Sequence, residues 1–401
     1  MQRYRVLATS CLVCMCLGSG FAWSVNQVGF MEEAAEIFGH DVSATSLALT
    51  FTIYTGIVPI PMILGGLLVK KYRIRSLYLL FSAIFCAGIL GSGFVTDIKG
   101  LYLFYGLFAG FGSASTFNVV FKNLVTVFED KTGLATGLMT AFYGSSAFIC
   151  APVMQRLIEV GGELFNLRVM GVSFSIVMAV CAIEIGSVKS KSTGTDALNN
   201  RSDNVGNRVM LKDKSFPLMI IAYTGFATCG LMIISQCGLM AKSIGNIPNV
   251  AGIVMAISLA NIAGRLFWGP LSDKAGKCTV LIMAASLMTV GGIILLLTGS
   301  SLSVFIACSM SIIFAYGGCA SCFPAFISDS YGVENSALNY GIICIGYSAG
   351  GYIGPITASE MFAHTGAYTT SFIMVATVGV ITLICMLILS RTQKQAGPIM
   401  L

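Results

Sequence analysis

Long apolar runs alternate with short polar breaks along this chain, and the breaks set the elements. Twelve apolar stretches can be traced, near residues 6–30, 44–68, 77–96, 100–127, 133–155, 167–187, 217–240, 250–270, 278–298, 303–326, 337–361 and 369–390. Each reaches the roughly 20 residues that a hydrocarbon core about 30 Å thick demands of a helix. The pattern therefore predicts an all-α membrane protein of twelve transmembrane helices rather than a soluble core. The spans fall into two six-helix halves, residues 1–187 and 217–401, the second ending in a short tail. A polar linker, 188–216, joins them; it is rich in Lys, Ser, Asn and Asp. Arg3 and Arg5 precede an apolar stretch that runs to about Phe30, longer than the core of a signal peptide and without a clear small-residue cleavage site. It reads as the first span.

Charge fixes the orientation. With both termini and the linker inside, the cytoplasmic segments hold 17 Lys and Arg and the outer loops hold four (Lys99, Arg156, Arg168, Lys242). The reverse orientation would invert that bias, so both termini are expected to be cytoplasmic. The first outer loop is acidic instead, with Glu32, Glu33, Glu36 and Asp41.

Composition narrows the function. Only 10% of residues are charged and 56% are apolar, against about 25% charged in a soluble domain. The net charge of +6 is scattered, so nucleic acid is not an expected partner. The 14 cysteines lie almost entirely in apolar runs, and His40 and His364 fall in loops. No metal set and no cofactor motif is read. No Walker loop, nucleophile elbow or zinc motif appears, which argues against an enzyme or an ATP-driven pump. A linker of 29 residues is too short for a globular signalling domain. What remains is a multi-pass integral protein, expected in the cell (inner) membrane as a monomer, with the bilayer and a small solute as its partners.

One residue stands out against the apolar background. Arg265 lies eight residues before Asp273, about 12 Å below the helix end and near the bilayer midplane. A guanidinium there costs several kcal/mol unless it meets water, a partner or an anion, and it cannot shed its proton. Asn261 sits four residues earlier on the same helical face. Lys122 is the other basic side chain inside a span, at similar depth. No carboxylate is read deep in a span, since Glu184 and Glu360 lie near span ends. Gly106-x-x-x-Gly110 and Gly346-x-x-x-Gly350 provide small surfaces for close helix approach at a rocking interface.

The two halves echo each other. Gly65-Gly-Leu-Leu-Val-Lys-Lys-Tyr-Arg73 follows the second span, and Gly269-Pro-Leu-Ser-Asp-Lys-Ala-Gly-Lys277 follows the eighth. The latter resembles the G-x-L-x-D-[RK]-x-G-[RK] loop of the major facilitator superfamily, a gating loop carried here by Asp273, Lys274 and Lys277. The first copy departs from it at Val69 and Tyr72. Further stretches resemble the oxalate/formate antiporter family. These are Leu17-Gly-Ser-Gly-Phe-Ala-Trp-Ser-Val25, Phe128-Glu-Asp-Lys-Thr-Gly-Leu-Ala-Thr-Gly-Leu138, Asn261-Ile-Ala-Gly-Arg265, Phe323-Pro324 with Tyr331-Gly332, and Asn339-Tyr-Gly-Ile342.

The resemblance implies transport of small carboxylates at the midplane between two parallel repeats. In oxalate carriers of this kind two cations hold the dianion. Here the first position is Arg265 and the second is Tyr347, which offers a hydrogen bond but no charge. The expected cargo is therefore a monocarboxylate such as formate, lactate or a pyruvate-like acid. Tyr316 and Tyr143 align with site aromatics, and Trp23, with Gln27 a turn further on, lies in the matching part of span one. An alternative is a dicarboxylate exchanger with Lys122 as second cation; another is a drug or sugar carrier of the same superfamily. Animal monocarboxylate carriers place an aspartate at the position of Asn261, and an asparagine there cannot relay a proton.

Overall fold

A computed structural model describes residues 2–69, 71–128, 132–186, 210–211, 213, 215–245, 247, 249–298, 301–331 and 336–396. Among these residues every regular element is helical. The first set is α1 (Gln2–Leu17), α2 (Trp23–Phe38), α3 (Ala44–Gly56), α4 (Pro59–Leu68), α5 (Ile74–Ser92), α6 (Ile98–Leu101), α7 (Gly110–Val127) and α8 (Thr132–Cys181). The second is α9 (Ser215–Gly245), α10 (Ala251–Ala275), α11 (Lys277–Thr298), α12 (Leu302–Tyr331), α13 (Ser336–Thr365) and α14 (Thr369–Ala396). Ten helical segments among the described residues are long and apolar enough to cross a membrane. Large apolar side chains such as Leu80, Ile176 and Leu297 face outward, as lipid contact requires.

Local chemistry explains where the helices break. The first span is longer than the apolar run suggests, because helix continues through Glu32, Glu33 and Glu36 to Phe38. These acids are therefore not loop residues; a helix satisfies its own backbone and need not stop where hydrophobicity does. It ends at Gly39 (φ 74), whose N–H bonds to the Ala35 carbonyl in a left-handed cap. A 3-10 stretch, Gly18–Ala22, interrupts it and exposes the Leu17 carbonyl. The Tyr54 and Ser113 hydroxyls donate to that oxygen at 3.2 and 3.3 Å. The second span divides at Pro59, which supplies no N–H and is best accommodated in the first turn of a helix. The fourth carries a π-helical stretch, Tyr102–Ala109.

Several expectations need correcting. Residues between the fifth and sixth apolar runs are not an outer loop; α8 continues through them as two arms meeting at Gly162 (φ 81, ψ 177). Arg156 and Arg168 are thus helical, and Arg168 donates to the Gly93 carbonyl at 2.6 Å. His364 lies in the last turn of α13. Ser272, Asp273 and Lys274 belong to the end of α10, and Asp329 to α12, because these helices outrun their apolar stretches. The helix α9 begins two residues inside the expected linker, most of which lies outside the described residues.

The two sets meet along three seams: α8 against α10, α3 and α4 against α13, and α2 against α9. Gly106 and Gly110 pack onto α3, and Gly346 and Gly350 onto α9. Those glycines therefore tighten each set internally and do not form the seams. The seam glycines are others: Gly144 against Arg265, Gly238 against Ser24 and Gly351 against Thr55.

Candidate functional site

Arg265 lies ten residues before the end of α10, about 15 Å along the axis. It is 8% exposed. Its Nε donates to Asn261 Oδ1 at 2.9 Å, and its Nη1 donates to the Thr140 carbonyl of α8 at 3.0 Å. The first bond is the i,i+4 pair that helical spacing predicts. The second crosses the seam, so the guanidinium touches both helix sets. Gly144, one turn beyond Thr140, makes room: a Cβ there would lie 2.7 Å from Arg265 Nε. Ser258 closes the same contact by donating to the Gly144 carbonyl at 3.2 Å.

No acid among the described residues pairs with this cation. The ion pairs among the described residues are Arg5–Glu184, Arg156–Glu159, Lys242–Glu32 and Lys277–Asp329. Both hydrogen bonds of Arg265 go to neutral oxygens, so its full charge is available to a ligand.

Two of the expected aromatics lie near it, and a third lies beside those two. Tyr143 and Tyr316 lie within electrostatic reach of Arg265, and Tyr347 within reach of Tyr316 and Tyr143. Tyr143 is held edge-on by Phe21 and Phe117, each at 5.3 Å between ring centroids. Tyr316 is buried with its ring against Gly230 of α9, where no side chain would fit. Tyr347 of α13 faces Tyr223 at 6.5 Å. A cavity of about 10 Å³ adjoins this group, lined by Phe21, Gly144, Ser258 and Asn261 among others. That is the space of one water molecule, so even formate requires the seam to part.

The other expected residues lie elsewhere. Trp23 is fully buried and packs on Tyr105 and Phe30, at 4.7 and 6.4 Å. Gln27 lies on the α2–α9 seam, donating to the Ala44 carbonyl and to Gln236 at 3.3 and 3.5 Å. Lys122 is exposed on α7. Asp273 and Lys274 are exposed at the end of α10, and Lys277 pairs with Asp329 of the same set.

Sequence reasoning missed Tyr54, which stands within electrostatic reach of Tyr143 and Tyr347. Its signal was the run of Thr50, Thr52, Tyr54 and Thr55 inside an otherwise apolar span. It also missed Glu163, which lies between the fifth and sixth expected spans and is fully buried.

A fixed cation, an amide and several phenols can bind an anion and orient it. No group of three or more potential metal ligands occurs among the described residues. A helical membrane protein whose two helix sets meet at an unpaired arginine has the form of a secondary carrier. The chain belongs to the Major Facilitator Superfamily, whose profile matches residues 8–236 and 215–399, and it is a membrane transporter rather than an enzyme.

Its relatives are distant but cover most of its length. It is 26% identical to the oxalate:formate antiporter of Oxalobacter formigenes, over 93% of this chain and 87% of that one. It is 24% identical to the uncharacterized MFS-type transporter YhjX of Escherichia coli, over 87% and 85%. Monocarboxylate transporter 12-B of Danio rerio is 22% identical over 86% and 78%. The fold matches the crystal structure of a variant of the nucleoside transporter NupG, with a TM-score of 0.73 and 13% identity, over 97% and 100%.

Proposed function

We propose that this transporter carries a small monocarboxylate, such as formate, lactate or a pyruvate-like acid, by alternating access. The observation that carries the reading is Arg265: a buried guanidinium on the seam between the helix sets, bonded only to neutral oxygens. One fixed cation balances one carboxylate. A second negative charge would find no cation at Tyr347, and Lys122 is exposed on α7. Asn261 and Tyr316 bound the carboxylate site, with Tyr143 and Tyr347 completing its walls. Two six-helix halves, 1–187 and 217–401, would rock about this site, with twelve spans once the two arms of α8 cross separately and α13 is added to the ten. Both termini then face the cytoplasm of a cell whose inner membrane holds the monomer.

Reconstituted protein tests this with labelled formate, lactate, pyruvate and oxalate. Arg265→Gln should leave the protein folded in the membrane and reduce uptake of the monocarboxylates about 100-fold, the loss of roughly 3 kcal/mol of charge-assisted bonding. Undiminished uptake by that variant would refute the assignment. Preference for oxalate, abolished by Lys122→Ala, would establish the dicarboxylate alternative instead.

A further inference from the structure

We propose that Glu163 is a proton-binding site, closed off from water in this arrangement, through which the carrier takes up a proton with its carboxylate. Its carboxyl sits just after the break at Gly162, on the arm of α8 that packs against α2. It is fully buried. Oε1 accepts from Asn166 Nδ2 at 3.4 Å, and the same amide donates to Asn26 Oδ1 at 3.1 Å. Oε2 presses against Gly29, where any Cβ would collide with it, and it has no hydrogen-bond partner. No ion pair reaches Glu163 among the described residues.

The titratable groups facing it are Glu33 from α2 and Tyr105 from the π-helical stretch. Glu33 is itself an acid. Its Oε2 accepts from the backbone N–H of Glu163 at 2.7 Å, so the two carboxyls share one corner of the fold. An ionised Glu163 would lack water and a counter-ion and would face a like charge. Carrying a proton removes all three difficulties.

The position ties this proton to the transport cycle. Next to Glu33 on α2 is Glu32, which pairs with Lys242 of α9. One turn away, Gln27 meets Gln236 on the same seam. Opening that seam would shift α2, whose Gly29 and Glu33 cover Glu163 from within the first set, and so change the access of water to it. Further polar groups lead from Glu163 towards Arg265 without forming a continuous hydrogen-bonded chain, since the Tyr105 hydroxyl has no partner. Asn166 and Asn26 come first, then Tyr105, then Tyr54 with ring centroids 5.8 Å apart. Tyr143 follows, within reach of both Tyr54 and Arg265. An anion at Arg265 and a proton at Glu163 thus enter as two opposite unit charges, and the loaded carrier crosses with no net change. Protonation adds H+ to the carboxylate oxygen, and release on the other side returns it unchanged.

The coupling half of this inference rests on the carboxylate reading of Arg265; the proton site itself does not. Infrared spectra of the purified full chain decide the site. A carbonyl-stretch band of a protonated carboxyl should be present at neutral pH, absent in Glu163→Gln and retained in Glu159→Gln, whose acid is exposed beside Arg156. A band that is missing, or that survives Glu163→Gln, overturns the proposal. Proteoliposomes containing a pH dye decide the coupling. Uptake of formate or pyruvate should bring in about one proton per carboxylate, and the ratio should fall towards zero in Glu163→Gln. Carboxylate counterflow without proton movement in the unaltered protein would end the coupling claim while sparing Arg265. Absence of any carboxylate counterflow would instead end the reading of Arg265 and leave the infrared result to judge Glu163.

Discussion

Arg265 shows how far a single residue can be read from sequence. Depth in an apolar run singles the charge out, and i,i+4 spacing supplies its neighbour Asn261. What spacing could not supply was the Thr140 carbonyl or the gap left by Gly144, because both come from α8, more than a hundred residues away in the chain. The site is sensitive to charge at Asn261. Asn261→Asp would place a carboxylate on Arg265 Nε, where a neutral oxygen now lies at 2.9 Å. The internal acid would then occupy the cation that the substrate needs. Substrate uptake should show a KM raised about 10- to 100-fold, the worth of one charge-assisted contact. Unaltered KM values in proteoliposomes would count against Arg265 as the anion site.

Helix extents were legible wherever hydrophobicity alone sets them, as in α11, observed at Lys277–Thr298 and expected at 278–298. They were not legible where tertiary packing carries helix through polar sequence. Residues 156–166 are rich in polar and small residues and look like an outer loop, yet Gly162 lets the two arms of α8 meet and bury Glu163. The glycine pattern misled for a related reason: the G-x-x-x-G spacing marks close approach without naming the partner. At the 3-10 break the requirement is local and testable. Gly18 packs so closely on the Tyr143 carbonyl that a Cβ would overlap it. Since that obstacle is the backbone of α8, it cannot swing aside. Gly18→Ala should destabilise the fold by about 1–3 kcal/mol and lower the melting temperature in detergent. It should also displace Tyr143 from its place near Arg265. A variant that melts with the unaltered chain would show that this approach is not tight.

Across the whole molecule one apolar cluster runs through both sets, and a few polar contacts cross the seam within it. Thr52 donates to the Gly351 carbonyl at 3.2 Å, and Ser348 donates to that of Thr55 at 2.8 Å. At the end of α2 and α9 the contact is Glu32 with Lys242, both partly exposed. An exposed pair of this kind contributes at most about 1 kcal/mol. Lys242→Ala should therefore shift the balance of open and closed forms by no more than about five-fold. A covalent bridge is a different matter, because it removes the open form altogether. Cysteines at positions 32 and 242, joined by a short bis-maleimide, should abolish uptake, and each single-cysteine variant treated alike should transport. The native cysteines will not confuse the result, since all but Cys278 are buried. If the bridged protein still moves substrate, then α2 and α9 need not separate. The cycle would have to run through the other seams, and Glu163 would lose its path to water.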